Sequence, residues 1–193
     1  MNMKQILKRA IKKGLKATIG WPKDKPDLID HYRKNGMKVG SNFHMLEGCI
    51  IDDSHYWLIE IGDNVTLAPR VHVLAHDAST KMHLNYTKIK NVTIGNKVFI
   101  GAGSIVMPGV TIGDNVIIGA GSVVTRDVDP DSVYAGNPAK RICGIEEYLA
   151  KEQARMTEDG TFGEDYTLRQ AVGADKKAHM KRVLARDGIG YVI

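Results

Sequence analysis

A chain of 193 residues, 43% hydrophobic and 6% aromatic, is long enough for one domain whose core is aliphatic. The formal charge of +5 is uneven: residues 1–38 hold eleven Lys or Arg against three Asp, and no basic stripe interleaved with aromatics follows, which argues against a nucleic-acid binder. Two cysteines, Cys49 and Cys143, make no disulfide framework or zinc knuckle, and no apolar run approaches the roughly 20 residues needed to span a membrane.

The N-terminus has too little apolar core for a signal peptide, so a cytoplasmic location is the expectation. Residues 3–19 put Met3, Ile6, Leu7, Ala10, Ile11 and Leu15 near one helical face, with lysines and Arg9 around the rest. Such a basic amphipathic helix covers the open end of a repeat structure, or makes peripheral contact with an anionic membrane. Trp21-Pro22 and Lys25-Pro26 end it, and Asp27 to Asn35 reads as a second short helix stopped by Gly36.

From Val39 the sequence falls into sixes: VGSNFH, MLEGCI, then IGDNVT at Ile61, LAPRVH at Leu67, and an unbroken run from Ile94, IGNKVF, IGAGSI, VMPGVT, IGDNVI, IGAGSV, VTRDVD. An aliphatic residue opens each hexad and a small or aliphatic one recurs at the fifth position. This period is wrong for a helix and right for very short strands that turn every six residues, first and fifth positions inward, Gly and Asn at the corners. Twelve hexads, starting at 39, 45, 51, 61, 67, 73, 94, 100, 106, 112, 118 and 124, make four coils of three. Two interruptions stand out. Four extra residues after Ile51, near His55-Tyr56-Trp57, bulge out, and fifteen after Val73 form an inserted loop at about 76–91. The period ends in PDSVYAGNPAKRI, residues 130–142; helices are expected over Glu146 to Met156 and from about Leu168 to Arg186. GIGYVI, residues 188–193, fits either an added strand or a disordered tail.

The stretches IGDNVTLAPRVHVLAHDAST, residues 61–80, and VTIGNKVFIGAGSIVMPGVTIGDNVIIGAGSVVTRDVDPDSVYAGNPAKRI, residues 92–142, resemble the hexapeptide-repeat acyltransferases, among them the sugar, antibiotic and surface-polysaccharide O-acetyltransferases. The resemblance implies an all-β core, a left-handed parallel β-helix over residues 39–142 flanked by an N-terminal basic helical segment, 1–38, and a C-terminal helical extension, 143–193. It further implies acetyl-CoA as donor, no metal, and a homotrimer whose sites lie between chains.

Within that resemblance His76, at the start of the insertion, is the general base. Independently, a hydroxyl attacks a thioester poorly unless its proton leaves as the bond forms, and an imidazole can take it at neutral pH. His76 is the fourth residue of a hexad, a corner, where the chain leaves the repeat. Stacking Ile51 on Val73 puts Asp53 beside this corner as the carboxylate that orients the ring, with Asp52 in reserve. His72, His83, Asn85 and Tyr86 are candidates for an acceptor wall, joined by Lys88 and, in the first bulge, Trp57. The resemblance assigns the donor to Ala102 and Ala120, small corner residues beside the pantetheine arm, with an N–H near Gly101-Ala102 for the oxyanion. Thr125 and Arg126 follow toward the adenine end, and Lys140 and Arg141 meet the phosphates. His31, His44 and His179 carry no sequence reason to be chemical.

Asp77 directly after the histidine is more like the surface-polysaccharide enzymes than the maltose and galactoside enzymes, where Pro usually follows. O-Acetylation of a sugar, as a precursor of a surface polysaccharide, is therefore the expected activity. Serine or another small molecule, antibiotics included, is the rival acceptor. A zinc carbonic anhydrase of the same β-helix needs three histidines around its metal, and residues 94–129 contain none. A non-catalytic scaffold remains the non-enzymatic alternative.

Overall fold

The computed structural model describes residues 26–193, with side chains from residue 28; the amphipathic segment 3–19 lies outside them. Four rounds of three short strands follow one another. They are β1 (Lys38–Val39), β2 (His44–Met45) and β3 (Ile50–Ile51); β4 (Ile59–Ile61), β5 (Thr66–Leu67) and β6 (His72–Val73). After a hairpin, β7 (His76–Asp77) with β8 (Lys88–Ile89), come β9 (Val92–Ile94), β10 (Phe99–Ile100) and β11 (Ile105–Val106). The last round is β12 (Thr111–Ile112), β13 (Val116–Ile118) and β14 (Val123–Val124). Every third strand joins the same parallel sheet. The first face is β1-β4-β9-β12, the second begins β2-β5-β10-β13, and the third is β3-β6-β11-β14.

The register is the one the hexads dictate: Ile51 on Val73 on Val106 on Val124 along the third face, and Leu67 on Ile100 on Ile118 along the second. First and fifth positions fill the axis. Leu67, Val71, Val73, Val98, Ile100, Val106, Val116 and Ile118 are at most 2% exposed. Each such side chain contributes about 1.5–3 kcal/mol by leaving water. The fourth residue turns the corner with positive φ at Asn42, Gly48, Asn64, Arg70, Lys97, Gly103, Gly109, Asn115 and Gly121. The second residue is small because coils approach closely: a Cβ on Gly101 would stand 2.4 Å from the Ala120 backbone nitrogen.

The repeat runs further than its sequence suggests. Val128 pairs with Ile112, and β15 (Ser132–Ala135) stacks on β13, so residues expected to lie beyond the period begin a fifth coil. β16 (Lys140–Gly144) then returns antiparallel to β15 and closes that edge. At the other end α1 (Pro26–Lys34) matches the expected second helix, and Gly36 ends it at φ +95°. Arg33 donates from Nη2 to the carbonyls of Val39 and Gly40 at 3.2 and 3.1 Å, covering backbone that the first coil would expose. The first bulge is half inward: Tyr56 is buried against Tyr32, their ring centroids 5.2 Å apart, while Trp57 stays outside.

α3 (Ile145–Arg155) follows close to expectation. Residues 150–193 form a second compact unit. The helix expected from Leu168 is broken: Leu168–Gln170 is one 3₁₀ turn, Ala171 is left-handed, and α4 spans Ala174–Asp187. The terminal hexapeptide takes the strand alternative, β18 (Tyr191–Val192) lying parallel to β17 (Thr161–Phe162). His179 bridges Tyr166 and Asp159 at 2.8 and 2.9 Å, which gives it a structural role in this unit. Among the described residues no helix is long and apolar enough to cross a membrane.

Candidate active site

The three edges of the prism carry different chemistry, because each face hands its chain to the next at a fixed hexad position. Between the first and second faces runs a ladder of Asx residues, Asp63, Asn96 and Asp114, whose side-chain oxygens accept the backbone N–H groups of Ser41, Asp63 and Asn96 in the preceding coil at 2.6–2.9 Å. Between the second and third faces the corners are small and open, with Ala102 and Ala120 exposed. Between the third and first faces lie Asp52, His76, Gly109 and, two coils beyond His76, Thr125 and Arg126.

His76 occupies a fourth position, where the neighbouring hexads use a left-handed residue, but here the backbone stays extended and opens β7. β7 and β8 pair antiparallel, His76 opposite Ile89 and Asp77 opposite Lys88. Lys90 then donates to the Ala75 carbonyl at 2.9 Å and brings the chain back to the prism. The insertion is thus a built hairpin. Lys88 pairs with Asp77 at 2.5 Å and holds that carboxyl well below the usual carboxylate range, with Ser79 assisting.

The carboxylate beside His76 is Asp52. Its Oδ2 lies 2.5 Å from His76 Nδ1 and accepts the Ala75 N–H at 2.8 Å, while Oδ1 accepts the Ser54 N–H at 3.1 Å. Burial, with no side-chain surface exposed, opposes ionisation most strongly; the Ala75 N–H, the His76 ring and the Ser54 N–H together outweigh it. The net pKa lies below the ordinary value, so Asp52 is an anion. An anionic carboxylate only accepts, so the proton of a neutral His76 sits on Nδ1 and its Nε2 carries a lone pair.

Asp53, which stacking nominated, is exposed and takes only a Ser54 hydroxyl at 3.3 Å. The two aspartates differ in hexad position. Asp53 is the third residue of its hexad, the position that Ala102 and Ala120 show to face solvent, whereas Asp52 is the second and turns toward the neighbouring coil. The residue missed altogether is His55. Its ring lies 5.6 Å from that of His76 and 5.5 Å from that of Trp57, and its Nδ1 stands 3.9 Å from Asp52 Oδ1. Four residues outside the repeat brought it there, and no periodic signal marks such residues.

The other sequence candidates fall in two places. On the hairpin, His83, Asn85 and Tyr86 are exposed, and Asn85 ends the short helix α2 (Lys81–Leu84) at φ +59°. His72 is half-buried on β6, and among the described residues no hydrogen bond or ring contact ties it to the His76 cluster. On the small-residue edge, Gly101 and Gly121 donate to the Ile118 and Ala102 carbonyls at 2.8 Å, while no backbone bond among the described residues takes the Ala102 N–H. Lys140 and Arg141 lie exposed on β16, opposite Ala135 and Tyr134.

A family model, Bacterial transferase hexapeptide (six repeats), matches residues 91–126. Protein CapG of Staphylococcus aureus is 42% identical over 145 residues, spanning 70% of this chain and 83% of that protein. A maltose O-acetyltransferase structure from Clostridium difficile 630 aligns at 33% identity and a TM-score of 0.56, covering 74% of this chain and 89% of its own. The hexapeptide-repeat acetyltransferase VCA0836 of Vibrio cholerae O1 biovar eltor, solved with acetyl-coenzyme A, aligns at 28% identity and a TM-score of 0.51 over 56% of this chain and 60% of its own. With its three-faced prism and repeat register, this chain belongs to the hexapeptide-repeat acyltransferase family. The left hand of the coil and enzymatic acyl transfer come with that membership.

Proposed function

We propose that the protein moves the acetyl group of acetyl-CoA to a hydroxyl of a sugar, a precursor of a surface polysaccharide handled in the cytoplasm, with His76 as general base. The observation that carries this reading is the Asp52–His76 pair, a buried anion fixing the tautomer of a half-exposed ring at the mouth of an inserted hairpin. The acceptor oxygen attacks the acetyl carbonyl carbon while His76 Nε2 takes its proton. The tetrahedral oxyanion is met by a backbone N–H, for which we take that of Ala102, bonded to no carbonyl among the described residues. The carbon–sulfur bond then breaks, and protonated His76 returns the proton to the CoA thiolate. Asp52 stabilises the imidazolium between these steps. The donor assignment draws on the V. cholerae relative and the sugar class on the C. difficile one. The hairpin favours a sugar over an amino acid, since its one carboxylate, Asp77, is spent on Lys88 and leaves none for an ammonium group.

The test is release of CoA thiol on a panel of sugars, nucleotide sugars, amino acids and antibiotics. Turnover is expected to be highest on a sugar; a clear preference for serine would remove the sugar reading and leave the acyl transfer intact.

The donor groove and the base belong to separate edges of one prism. A copy that presents its Ala102–Ala120 edge to the His76 edge of a neighbour brings them together, and repetition of that head-to-tail contact closes a ring. The family resemblance makes the ring a homotrimer. Subunit mixing tests it. His76→Ala and Ala102→Trp chains, each inactive alone, should recover about a quarter of wild-type activity when co-assembled in equal amounts, the fraction of edges that pair two intact surfaces. Absence of recovery in verified mixed trimers would mean that base and donor groove come from one chain.

A further inference from the structure

Mechanistically His55 is surplus. The dyad is complete without it, yet its Nδ1 is buried with no hydrogen-bond partner and faces the same carboxylate. We propose that Asp52, His55 and His76 form a site for a divalent transition metal of the Zn²⁺ type, and that its occupation silences the base.

Three observations converge. Asp52, His55 and His76 each offer one ligand atom, and these atoms all lie within 4.8 Å of one another. Tetrahedral zinc at about 2.0–2.2 Å from N and O ligands sets those ligands roughly 3.3 Å apart. The separations here, 2.5 Å from Asp52 Oδ2 to His76 Nδ1 and 3.9 Å from Asp52 Oδ1 to His55 Nδ1, straddle that value across the two oxygens of one carboxylate, so binding requires the side chains to adjust by about an ångström. Two imidazoles and a carboxylate are the ligand types such an ion prefers. The surroundings support the set: the Ala75 and Ser54 N–H groups fix the carboxylate, and Trp57 packs on His55. Both histidine rings remain partly exposed, with side-chain exposures of 23% and 34%, so the cluster borders solvent although His55 Nδ1 and Asp52 are themselves buried.

The chemical consequence follows from the tautomer. With metal on Nδ1, the single proton of the neutral His76 ring moves to Nε2. The nitrogen that accepted the acceptor hydroxyl's proton becomes a donor, and Asp52 is no longer available to steady an imidazolium. The metal site stands on geometry alone; its silencing effect rests on His76 being the base.

Cobalt(II) and zinc titrations of the intact protein test the two parts separately. The expected result is one Co²⁺ per chain with the intense visible absorption of a low-coordinate ion, displaced by Zn²⁺, and calorimetric affinity at least tenfold weaker in both His55→Ala and His55→Asn. Zn²⁺ should inhibit wild-type thiol release reversibly, with full recovery on chelation, and the inhibition midpoint should rise in the His55 variants. Unchanged binding in correctly folded His55 variants, or none by the wild type, would overturn the site. Binding without inhibition would overturn the silencing and count against His76 as base, while absent binding would leave the acyl-transfer reading untouched.

Discussion

Replacing His76 with alanine is expected to lower kcat by about 10²-fold or more while leaving the Kd for acetyl-CoA nearly unchanged. The asymmetry comes from where the ring stands. In the proposed mechanism it meets the acceptor's proton in the transition state, and it stands on the edge between the third and first faces, whereas the small-residue groove proposed for the donor lies on the next edge. The effect on stability should be small. His76 is half-exposed and its loss leaves Asp52 still accepting two backbone N–H groups. Single-turnover thiol release and equilibrium donor binding, measured on the same preparation, check the split. A variant that keeps most of its turnover would remove His76 as base; one that loses donor affinity in parallel would move it to the donor site.

Asp52→Asn should be nearly as damaging to turnover, by about 10²- to 10⁴-fold, and should also cost stability where Asp53→Asn does not. Both Asp52 oxygens receive a backbone N–H, from Ser54 on one side and Ala75 on the other. An amide must therefore point its own NH₂ at one of them, leaving that N–H unpaired, at about 1–3 kcal/mol where it is the one of buried Ala75. If the NH₂ faces Ala75 and His76, the ring is driven to the tautomer with its lone pair on Nδ1, and the catalytic nitrogen holds the proton. Asp53 is exposed and bonded only to Ser54, so its amide should be silent in both assays. The sign with pH is fixed by the direction of the Asp52 shift. Its folded pKa lies below the unfolded value of about 3.9, so the stability it contributes is complete above that value and is lost as pH falls through the lower folded one. Urea melts between pH 5 and 3 should show that this acid-labile part is missing in Asp52→Asn. Equal loss of activity in the two asparagine variants would return the orienting role to Asp53.

What the sequence determined by itself is the repeat and nearly everything that scales with it. Six-residue spacing set the strands, their stacking order and the inward positions, since a triangular coil tolerates only small residues where coils touch and aliphatic ones along the axis. It also marked His76, because a corner that opens into fifteen extra residues is visible as a break in period. Non-periodic parts were left to the tertiary structure. The pairing of Asp52 with His76 rests on the Ala75 N–H and on the Ser54 N–H, the latter where the four-residue excursion leaves the coil. His55 reached the site by the same excursion. The partial fifth coil escaped the pattern because β15 is held by β16 coming back antiparallel, a pairing between segments whose own sequences do not repeat. The terminal hexapeptide was a strand or a tail until Thr161–Phe162 supplied the partner that an isolated two-residue strand lacks.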